Sequence, residues 1–460
     1  DVAPSRGLGD VYKRQVLGAG SSGIGAAWVL AQLHANVVLN DYKPVEFEPS
    51  TRKRLEEAGV TIITGRQDNN LLDGVDRIII SPGIALSIPI VQEALHRKID
   101  VVSEVELAYD VCKSPILGVT GTNGKTTTTT LLTQVMESTG LPVKVGGNIG
   151  DSLSEAAYHM PEGGYLVAEL SSYQLETIKS FCPLGAIVLN VTPDHLVRHK
   201  TMENYAAAKA RIFMNQNPEN FVVLNDDDPI VRAMKKDAHS KILSISQHHK
   251  VDSGAYFEGN TCYAVLDGKA TPVIDTEHIH IKGSHNIENI LAVIALTYAL
   301  GVKVEHIKHT IEQFHGVEHR LERVTTFHDV TFYNDSKATN TDSVVKALDA
   351  FDKPVILLAG GHDKMTPLED FMNIVKAHTK EVIFMGEAAD RFESVAVKMG
   401  VQHIHRAQSM KEAVALGYQL AKAGDIVLLS PACSSFDWYS CFEERGEDFK
   451  NCVRELEERG

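Results

Sequence analysis

Residues 115–132 read PILGVTGTNGKTTTTTLL, an apolar run that leads into a glycine turn and then into a helical pattern. A turn in this context is typical of a phosphate-binding loop, because backbone N–H groups at a helix start bind anions. Gly121 and Gly124 allow the tight turn. Lys125 would meet the β- and γ-phosphates, and the Thr126 hydroxyl would bind Mg²⁺. The stretch is a shorter variant of the usual loop pattern, and a glycine turn without a ligand is the alternative.

A second glycine turn lies near the start of the chain, where residues 18–23 read GAGSSG. This is a complete G-x-G-x-x-G, and Asp41 follows where a dinucleotide-binding protein would hold a ribose. The turn therefore predicts a pyrophosphate ligand, either of a nicotinamide cofactor or of another nucleotide. Residues 1–15 are unusual, because only Val16 and Leu17 are apolar where a buried strand should precede the turn. We expect a foreign segment to have replaced the natural start and the first strand to be missing; a frayed native strand is the alternative.

The composition limits the class of protein. Apolar β-branched runs alternate with helical patterns along the 460 residues, which predicts an α/β fold with a mostly parallel sheet in each of several domains. The formal charge of −15 argues against a nucleic-acid partner. Six scattered cysteines without a C-x-x-C pair indicate reduced thiols, and no apolar run is long enough to cross a membrane. We expect a cytoplasmic protein that is not inserted in a membrane.

Seven motifs, taken together, are more specific than either turn. The motifs are TGTNGKTT (120–127), AELSSYQLE (168–176), NVTPDHLVRH (190–199), NYAAAKARIF (204–213), GSHNIENI (283–290), GVEHR (316–320) and FYNDSKATNTDS (332–343). With them the chain resembles the Mur ligases, the ATP-dependent amino-acid-adding enzymes of bacterial cell-wall synthesis, from about residue 16 to the end.

The resemblance implies three domains and a bacterial, monomeric enzyme. Residues 1–104 would form a Rossmann-like domain for a UDP-linked substrate, and residues 105–316 a central ATP-binding domain with a phosphate loop. Residues 317–460 would form a Rossmann-like domain for the amino acid.

The implied reaction is activation of a carboxylate by ATP to an acyl phosphate, followed by attack of an amine. The catalytic residues implied are Lys125, His195, Lys209 and Lys337. The ATP-binding residues implied are Gly121, Thr122, Asn123, Gly124, Lys125, Thr126, Thr127, Asn289, Arg320 and Asp335.

Mg²⁺ is expected at two sites. By resemblance, Glu169 with Thr126 belongs to one, and His195 belongs to the second. Lys209 matches a lysine that is carbamylated, which turns a cation into a carboxylate-like metal ligand; an ordinary surface lysine is the alternative. Desolvation that lowers the lysine pKa would favour the carbamate, because CO₂ reacts with the neutral amine.

The third block is most similar to the family members that add D-glutamate to UDP-N-acetylmuramoyl-L-alanine. The residues implied for D-glutamate are Thr339, Lys364, Ser435, Phe436 and Phe442. Those implied for the UDP-linked substrate are Gly20, Ser21, Ser22, Asp41, Gly83, Asn148 and His195. Val197 departs from the family, which commonly has aspartate there, and this puts one contact near the metals in doubt.

Three other functions explain less of the sequence. A nicotinamide dehydrogenase would explain GAGSSG but not the later motifs. A folylpolyglutamate synthetase would share the ATP-binding core but is not expected to carry the first block. A regulatory phosphate-loop protein of the GTPase kind should show an N-K-x-D pattern, which is absent from the sequence.

Overall fold

The computed structural model describes residues 12–148, 151–281, 283–363 and 365–459, without the side chains of Val197, Asp342 and Arg459. Strands and helices alternate along the described chain, and the strands form three sheets. Most neighbouring strands are parallel, which confirms the α/β class.

The first sheet has five strands in the order β3-β2-β1-β4-β5, and all four pairings are parallel. Its apolar runs, such as that in β4, are buried by helices packed on the sheet, as in other parallel sheets. Its elements are β1 (Lys13–Leu17), α1 (Ser21–Gln32), β2 (Asn36–Asp41), α2 (Pro49–Glu57), β3 (Thr61–Thr64), β4 (Val75–Ile80), α3 (Pro89–His96), β5 (Asp100–Ser103) and α4 (Glu104–Val111).

The second sheet has nine strands in the order β14-β13-β12-β11-β10-β9-β6-β8-β7. It is parallel from β7 to β12 and ends in an antiparallel meander. Its elements are β6 (Ile116–Thr120), α5 (Lys125–Glu137), β7 (Val143–Gly147), α6 (Leu153–Tyr158), β8 (Tyr165–Glu169), α7 (Ser172–Leu175), β9 (Gly185–Val188), α8 (Leu196–His199), α9 (Met202–Ala210), β10 (Phe221–Asn225), α10 (Pro229–Ala233), β11 (Lys241–Ser246), β12 (Gly254–Glu258), β13 (Thr261–Leu266), β14 (Lys269–Asp275), α11 (Ser284–Ala299) and α12 (Val304–Gln313).

The third sheet has six strands in the order β15-β16-β20-β17-β18-β19, and only the β15–β16 pair is antiparallel. Its elements are β15 (Glu322–Phe327), β16 (Val330–Asn334), α13 (Thr341–Leu348), β17 (Val355–Gly360), α14 (Glu369–His378), β18 (Thr379–Met385), α15 (Ala389–Met399), β19 (Ile404–Ala407), α16 (Met410–Leu420), β20 (Ile426–Leu429) and α17 (Phe442–Arg459).

The described chain divides into two compact units: one contains the first two sheets, and the other contains the third. All six cysteines are free thiols. Among the described residues, no helix has both the length and the apolar content needed to cross a bilayer.

The first strand corrects one expectation from the sequence. β1 is present and central, paired in parallel with β2 on one side and β4 on the other. The prediction of a missing strand is therefore wrong: the ladder uses backbone groups, so Lys13, Arg14 and Gln15 can join it despite their polar side chains. Residues 1–11 lie outside the described part of the chain, and the foreign origin of residues 1–15 stays a prediction.

The polar residues of β1 leave an unpaired amide in the core. Gln15 is fully buried, and neither its Nε2 nor its Oε1 has a hydrogen-bond partner among the described residues. Because an unsatisfied buried amide keeps its desolvation cost, we expect Gln15→Leu to increase the free energy of unfolding by about 1–3 kcal/mol. Urea denaturation of the two proteins measures this difference.

A buried amide on the neighbouring strand is the matched control. Asn40 is also fully buried, but its Nδ2 donates to the carbonyls of Ile63 at 2.9 Å and Arg66 at 2.8 Å. Asn40→Leu should therefore destabilise the protein. A Gln15→Leu protein no more stable than the parent would mean that the amide of Gln15 carries no cost.

Candidate functional site

The phosphate loop joins β6 to α5. Gly124 has a left-handed backbone with φ of 84°, and a Cβ atom there would lie 2.2 Å from Asn289 Oδ1. Only glycine fits this position without strain. Helix α5 begins at the next residue, Lys125, so its first N–H groups face the turn.

The loop lysine lies against its own loop. Lys125 Nζ donates to the carbonyl of Gly121 at 3.0 Å and to that of Thr122 at 2.9 Å. Thr126 and Thr127 occupy the first turn of α5 and are buried. The ammonium group is thus held at the mouth of the loop, where a bound phosphate would attract it.

Asn190 supports the loop from the end of β9. Its Oδ1 accepts from the backbone N–H of Asn123 at 2.8 Å, and its Nδ2 donates to the carbonyl of Asn123 at 3.2 Å. Its own carbonyl accepts from the N–H of Thr122 at 2.9 Å. These three bonds fix the direction of the loop N–H groups.

Glu169 has the properties of a cation ligand. It is paired with Val119 across β8 and β6, so its carboxylate lies at the sheet edge from which the phosphate loop starts. It is 1% exposed; Oε1 accepts from Asn148 Nδ2 at 3.0 Å, whereas Oε2 has no hydrogen-bond partner among the described residues. A buried carboxylate oxygen without a partner is costly unless a cation binds it. Carboxylate and hydroxyl oxygens are suitable ligands for Mg²⁺, so Glu169 and Thr126 fit the expected ion.

Lys209 is buried next to the same loop. It is 1% exposed, its Nζ donates to the carbonyl of Gly121 at 2.7 Å, and it lies 4.5 Å from the centroid of the Tyr205 ring. Burial, together with the nearby cation of Lys125, lowers the pKa of Lys209 well below that of an ordinary lysine. The alternative of an ordinary surface lysine is wrong, because this side chain is inaccessible.

His195 stands at the entrance to helix α8, with a left-handed backbone of φ 54°. Its ring centroid lies 4.9 Å from that of Tyr173 and 6.2 Å from that of Tyr205. The Tyr205 hydroxyl is 3.2 Å from Thr122 Oγ1, which connects this aromatic group to the phosphate loop. His195 and Lys209 therefore flank the same tyrosine.

Asn289 lies where the loop and α11 meet. It is 2% exposed; its Oδ1 accepts from Thr128 Oγ1 at 3.2 Å, and its Nδ2 donates to Asn286 Oδ1 at 3.1 Å. The amide expected to contact adenine thus has protein partners on both of its ends in this structure.

The first glycine turn follows β1. A Cβ atom at Gly23 would lie 1.8 Å from the carbonyl oxygen of Gly18, so the turn closes only with glycine there. Asp41 Oδ2 accepts from the N–H of Ala19 at 2.9 Å, and its Oδ1 accepts from that of Lys43 at 2.9 Å. Asp41 therefore supports the turn itself.

Other residues expected at the UDP-linked substrate surround this turn. Gly20 and Ser21 are exposed at the start of α1, and Gly83 is exposed in the turn after β4. Ser22 is half-buried, and it lies near Glu104, a buried carboxylate that accepts from the N–H of Ser154 at 2.9 Å.

In the third-sheet unit, Asp335 is buried at the end of β16. Its Oδ2 accepts from Ser430 Oγ at 2.7 Å, and its Oδ1 accepts from the N–H of Leu321 at 3.2 Å. Burial raises the pKa of Asp335 to about 6, and the cation of Arg320 opposes that rise. Lys337 Nζ lies 5.3 Å from the centroid of the Phe442 ring.

Arg445 joins two loops of this unit. Its Nε donates to Ser336 Oγ at 2.9 Å and its Nη2 to the carbonyl of Ser336 at 2.8 Å, while Nη1 donates to the carbonyls of Cys433 and Ser434 at 3.1 Å each. Ser336 is in the segment with Lys337 and Thr339; the next residue after Ser434 is the buried Ser435. Phe436 is 69% exposed, and Lys364 lies outside the described residues.

Comparison with known families accounts for all three sheets. The MurD-like N-terminal domain of Mur ligases matches residues 12–103, the Mur ligase middle domain matches 119–297, and the Mur ligase glutamate ligase domain matches 319–433. A UDP-N-acetylmuramoylalanine–D-glutamate ligase of Thermoanaerobacter pseudethanolicus is 42% identical over 443 residues, which cover 96% of this chain and 98% of the relative. The chain belongs to the Mur ligase family.

Two further comparisons agree with this Mur ligase assignment. A ligase of the same name from Pelotomaculum thermopropionicum is 40% identical and covers 98% of this chain and 99% of its own. The solved UDP-N-acetylmuramate-alanine ligase of Thermotoga maritima, 18% identical, superposes with a TM-score of 0.61 over 97% of this chain and 100% of that one, which supports the fold alone.

Sequence reasoning missed Asn190 and Arg445 in this Mur ligase. Asn190 is the first residue of the NVTPDHLVRH motif and the last of the run GAIVLN (185–190), so its position at the end of an apolar run was an available signal. Arg445 lies in the C-terminal helix with no local signal, because its partners lie 11–12 and 109 residues away in the sequence.

The buried Asp335 predicts a pH effect on the stability of this Mur ligase. A pKa raised from 3.8 to about 6 means that the folded state binds a proton more tightly than the unfolded state. The protonated Asp335 therefore stabilises the folded state fully below pH 3.8, and this stabilisation is lost as the pH rises through about 6. Asp335→Asn should lack this loss, so between pH 4 and 7 its stability should gain about 2 kcal/mol relative to the parent.

Urea denaturation at several pH values tests this effect, with Asp363→Asn as the control of opposite sign. The guanidinium of Arg391 holds the pKa of Asp363 below its usual range. The stabilisation by Asp363 is therefore present above its ordinary pKa and lost as the pH falls. A constant difference between Asp335→Asn and the parent across this range would contradict the raised pKa.

Proposed function

We propose that this Mur ligase joins D-glutamate to UDP-N-acetylmuramoyl-L-alanine in cytoplasmic peptidoglycan precursor synthesis, with ATP converted to ADP and phosphate. The observation that carries the proposal is one sheet edge where three features lie together: the phosphate loop, the buried Lys209, and a Glu169 oxygen without a hydrogen-bond partner in the described part of the chain. Relatives at 39–42% identity over nearly their full length carry the name of this activity.

The phosphate loop would bind ATP through the N–H groups at the start of α5 and through Lys125. Lys125 exchanges two neutral carbonyl partners for a phosphate, which is a stronger, charge-assisted interaction. Mg²⁺, when bound, would neutralise phosphate charge and polarise the oxygen under attack. Glu169 and Thr126 would hold one ion, and His195 and Lys209 a second.

Lys209 would act as a carbamate. Its amine lies in a buried position beside Gly121, next to the cation of Lys125, which disfavours a second positive charge. Carbamylation replaces this cation by an anion that can ligate a metal, which reverses an unfavourable contact with Lys125.

The UDP-linked substrate would place its pyrophosphate at the first glycine turn. Gly20, Ser21 and Ser22 offer backbone N–H and hydroxyl groups at the start of α1. Gly83 would close the pocket. Asp41, which supports the turn, would contact the uracil end, and Asn148 would lie near the muramoyl part.

The third-sheet unit would supply the amino-acid site and part of the ATP site. Arg320 and Lys337 would contact the γ-phosphate, and Asp335 would complete the ATP side. The residues proposed for D-glutamate remain Thr339, Lys364, Ser435, Phe436 and Phe442. Arg445 would fix the positions of the loops that carry Lys337 and Ser435 relative to each other.

Phosphate release in the presence of ATP and Mg²⁺ tests the proposal. It should require both UDP-N-acetylmuramoyl-L-alanine and D-glutamate, and the amide product should form in equal amount. L-Glutamate and UDP-N-acetylmuramic acid serve as control substrates. ATP hydrolysis that ignores both substrates would overturn the proposed function.

A further inference from the structure

Arg198 connects the two sheets of the first compact unit. Its Nη1 donates to the carbonyl of Pro82 at 3.1 Å, in the turn after β4 of the first sheet. Its Nε and Nη2 bind the carboxylate of Glu176, at the end of α7 in the second sheet, at distances of 2.5 to 3.2 Å. The guanidinium carbon lies 4.5 Å from the centroid of the Tyr173 ring. One side chain thus binds the turn proposed for the substrate and two residues of the AELSSYQLE motif.

These contacts need an arginine. A guanidinium has donors in one plane that can bind a carboxylate and a carbonyl together while its face lies on an aromatic ring. A lysine can keep the ion pair with Glu176 but cannot make all three contacts. The Arg198 and Glu176 side chains are only 18% and 16% exposed, so water competes weakly for them.

The partners of Arg198 lead to the proposed catalytic residues. Tyr173, which lies under the guanidinium, has its ring centroid 4.9 Å from that of His195 and stacks on His199 at 5.5 Å. His199 Nδ1 is 3.5 Å from Glu176 Oε1. Arg198 is itself three residues after His195 in the chain, and its N–H donates to the His195 carbonyl at 3.0 Å.

We propose that Arg198 is a positioning residue that fixes the position of the turn around Gly83 relative to His195. A UDP-linked substrate bound at that turn would then place its carboxylate near the metal-binding residues proposed above, His195 and Lys209. The inference rests on the proposed function. Arg198 does not contact the phosphate loop in any described contact, so its effect should fall on the UDP-linked substrate and not on ATP.

Steady-state kinetics of Arg198→Met and Arg198→Lys test this role. We expect Arg198→Met to raise the KM for UDP-N-acetylmuramoyl-L-alanine at least tenfold and to lower kcat, with the KM for ATP within twofold of the parent. Arg198→Lys should fold and keep a raised KM for the same substrate. The Arg198→Lys protein therefore still tests the proposal if the Arg198→Met protein does not fold.

Arg54→Met is a matched control. Arg54 also connects the two sheets, since it pairs with Glu155 and its guanidinium carbon lies 4.4 Å from the centroid of the Trp28 ring, but neither contact involves His195 or Tyr173. Arg54→Met should leave kcat and the KM values of all three substrates unchanged. The inference is overturned if Arg198→Lys has parental kinetics, or if Arg198→Met raises the KM values for all three substrates equally. If the parent enzyme itself shows no dependence on the UDP-linked substrate, the proposed function fails instead.

Discussion

Lys209→Ala should lower kcat at least about 100-fold, as expected when a group that holds a metal in place is lost. The side chain is buried beside Gly121. Among the described residues, the lysines that donate a hydrogen bond to the Gly121 carbonyl are Lys209 and Lys125. If the carbamate supplies the ligand, a short carboxylate such as acetate should restore part of the activity, because it can enter the space left by the side chain. Phosphate release with and without added acetate measures both effects.

The same residue should limit the stability of the nucleotide-free protein. Because the folded state lowers the pKa of Lys209, the folded protein loses stability relative to a neutral side chain as the pH falls below the ordinary lysine value. Lys209→Met should therefore be inactive yet unfold at a higher temperature at pH 7–8, and this gain should shrink as the pH rises toward 10.

Lys450 is the control for this stability effect. It is also buried, but its Nζ is paired with Glu318, Glu322 and Glu447. Lys450→Met leaves these carboxylates uncompensated and should lower the unfolding temperature. Full activity of Lys209→Ala would remove Lys209 from the metal site, and no rescue by any short carboxylate would contradict the carbamate.

The alternation of apolar runs with helical patterns made the α/β class predictable from the sequence, and the two glycine turns predicted where strands lead into helices at β1–α1 and β6–α5. Each turn needs glycine at a position where a Cβ atom would meet backbone or a buried amide, as at Gly23 and Gly124. Such requirements are local, so they appear as motifs. The strand before the first turn was wrongly expected to be missing, because the number of apolar residues does not report the backbone pairing of β1 with β2 and β4.

What the motifs could not predict is how their residues are used. Asp41 and Asn289 have polar groups suited to a ligand, yet both have protein partners in the structure. Arg445 and Arg198 bind carbonyl groups of distant loops, and a carbonyl has no sequence signature. The tertiary fold decides which distant backbone groups a side chain contacts, so these contacts cannot be predicted from a local motif.

Lys125→Ala should reduce acyl-phosphate formation about 10²–10³-fold, the loss typical of removing one preorganised charge from a reaction that develops negative charge. In the structure the ammonium group donates to two loop carbonyls, so its removal costs the apoprotein these two hydrogen bonds to neutral groups. The folded state should survive, and the loss should appear in kcat. ADP release in a single turnover, with UDP-N-acetylmuramoyl-L-alanine but without D-glutamate, measures this step.

Two comparisons make the result specific to the loop position. Lys179→Ala removes a lysine that is 56% exposed and pairs with Asp100, and it should leave the single-turnover rate unchanged. Lys125→Arg keeps the charge but replaces a compact ammonium group by a planar guanidinium, and the tight loop should tolerate it poorly.

Lys125 also lowers the pKa of Lys209, so Lys125→Ala should make the buried amine easier to protonate and harder to carbamylate. Activity of Lys125→Ala should then respond more steeply than that of the parent to added bicarbonate, and a parental rate in Lys125→Ala would remove this lysine from the phosphate site.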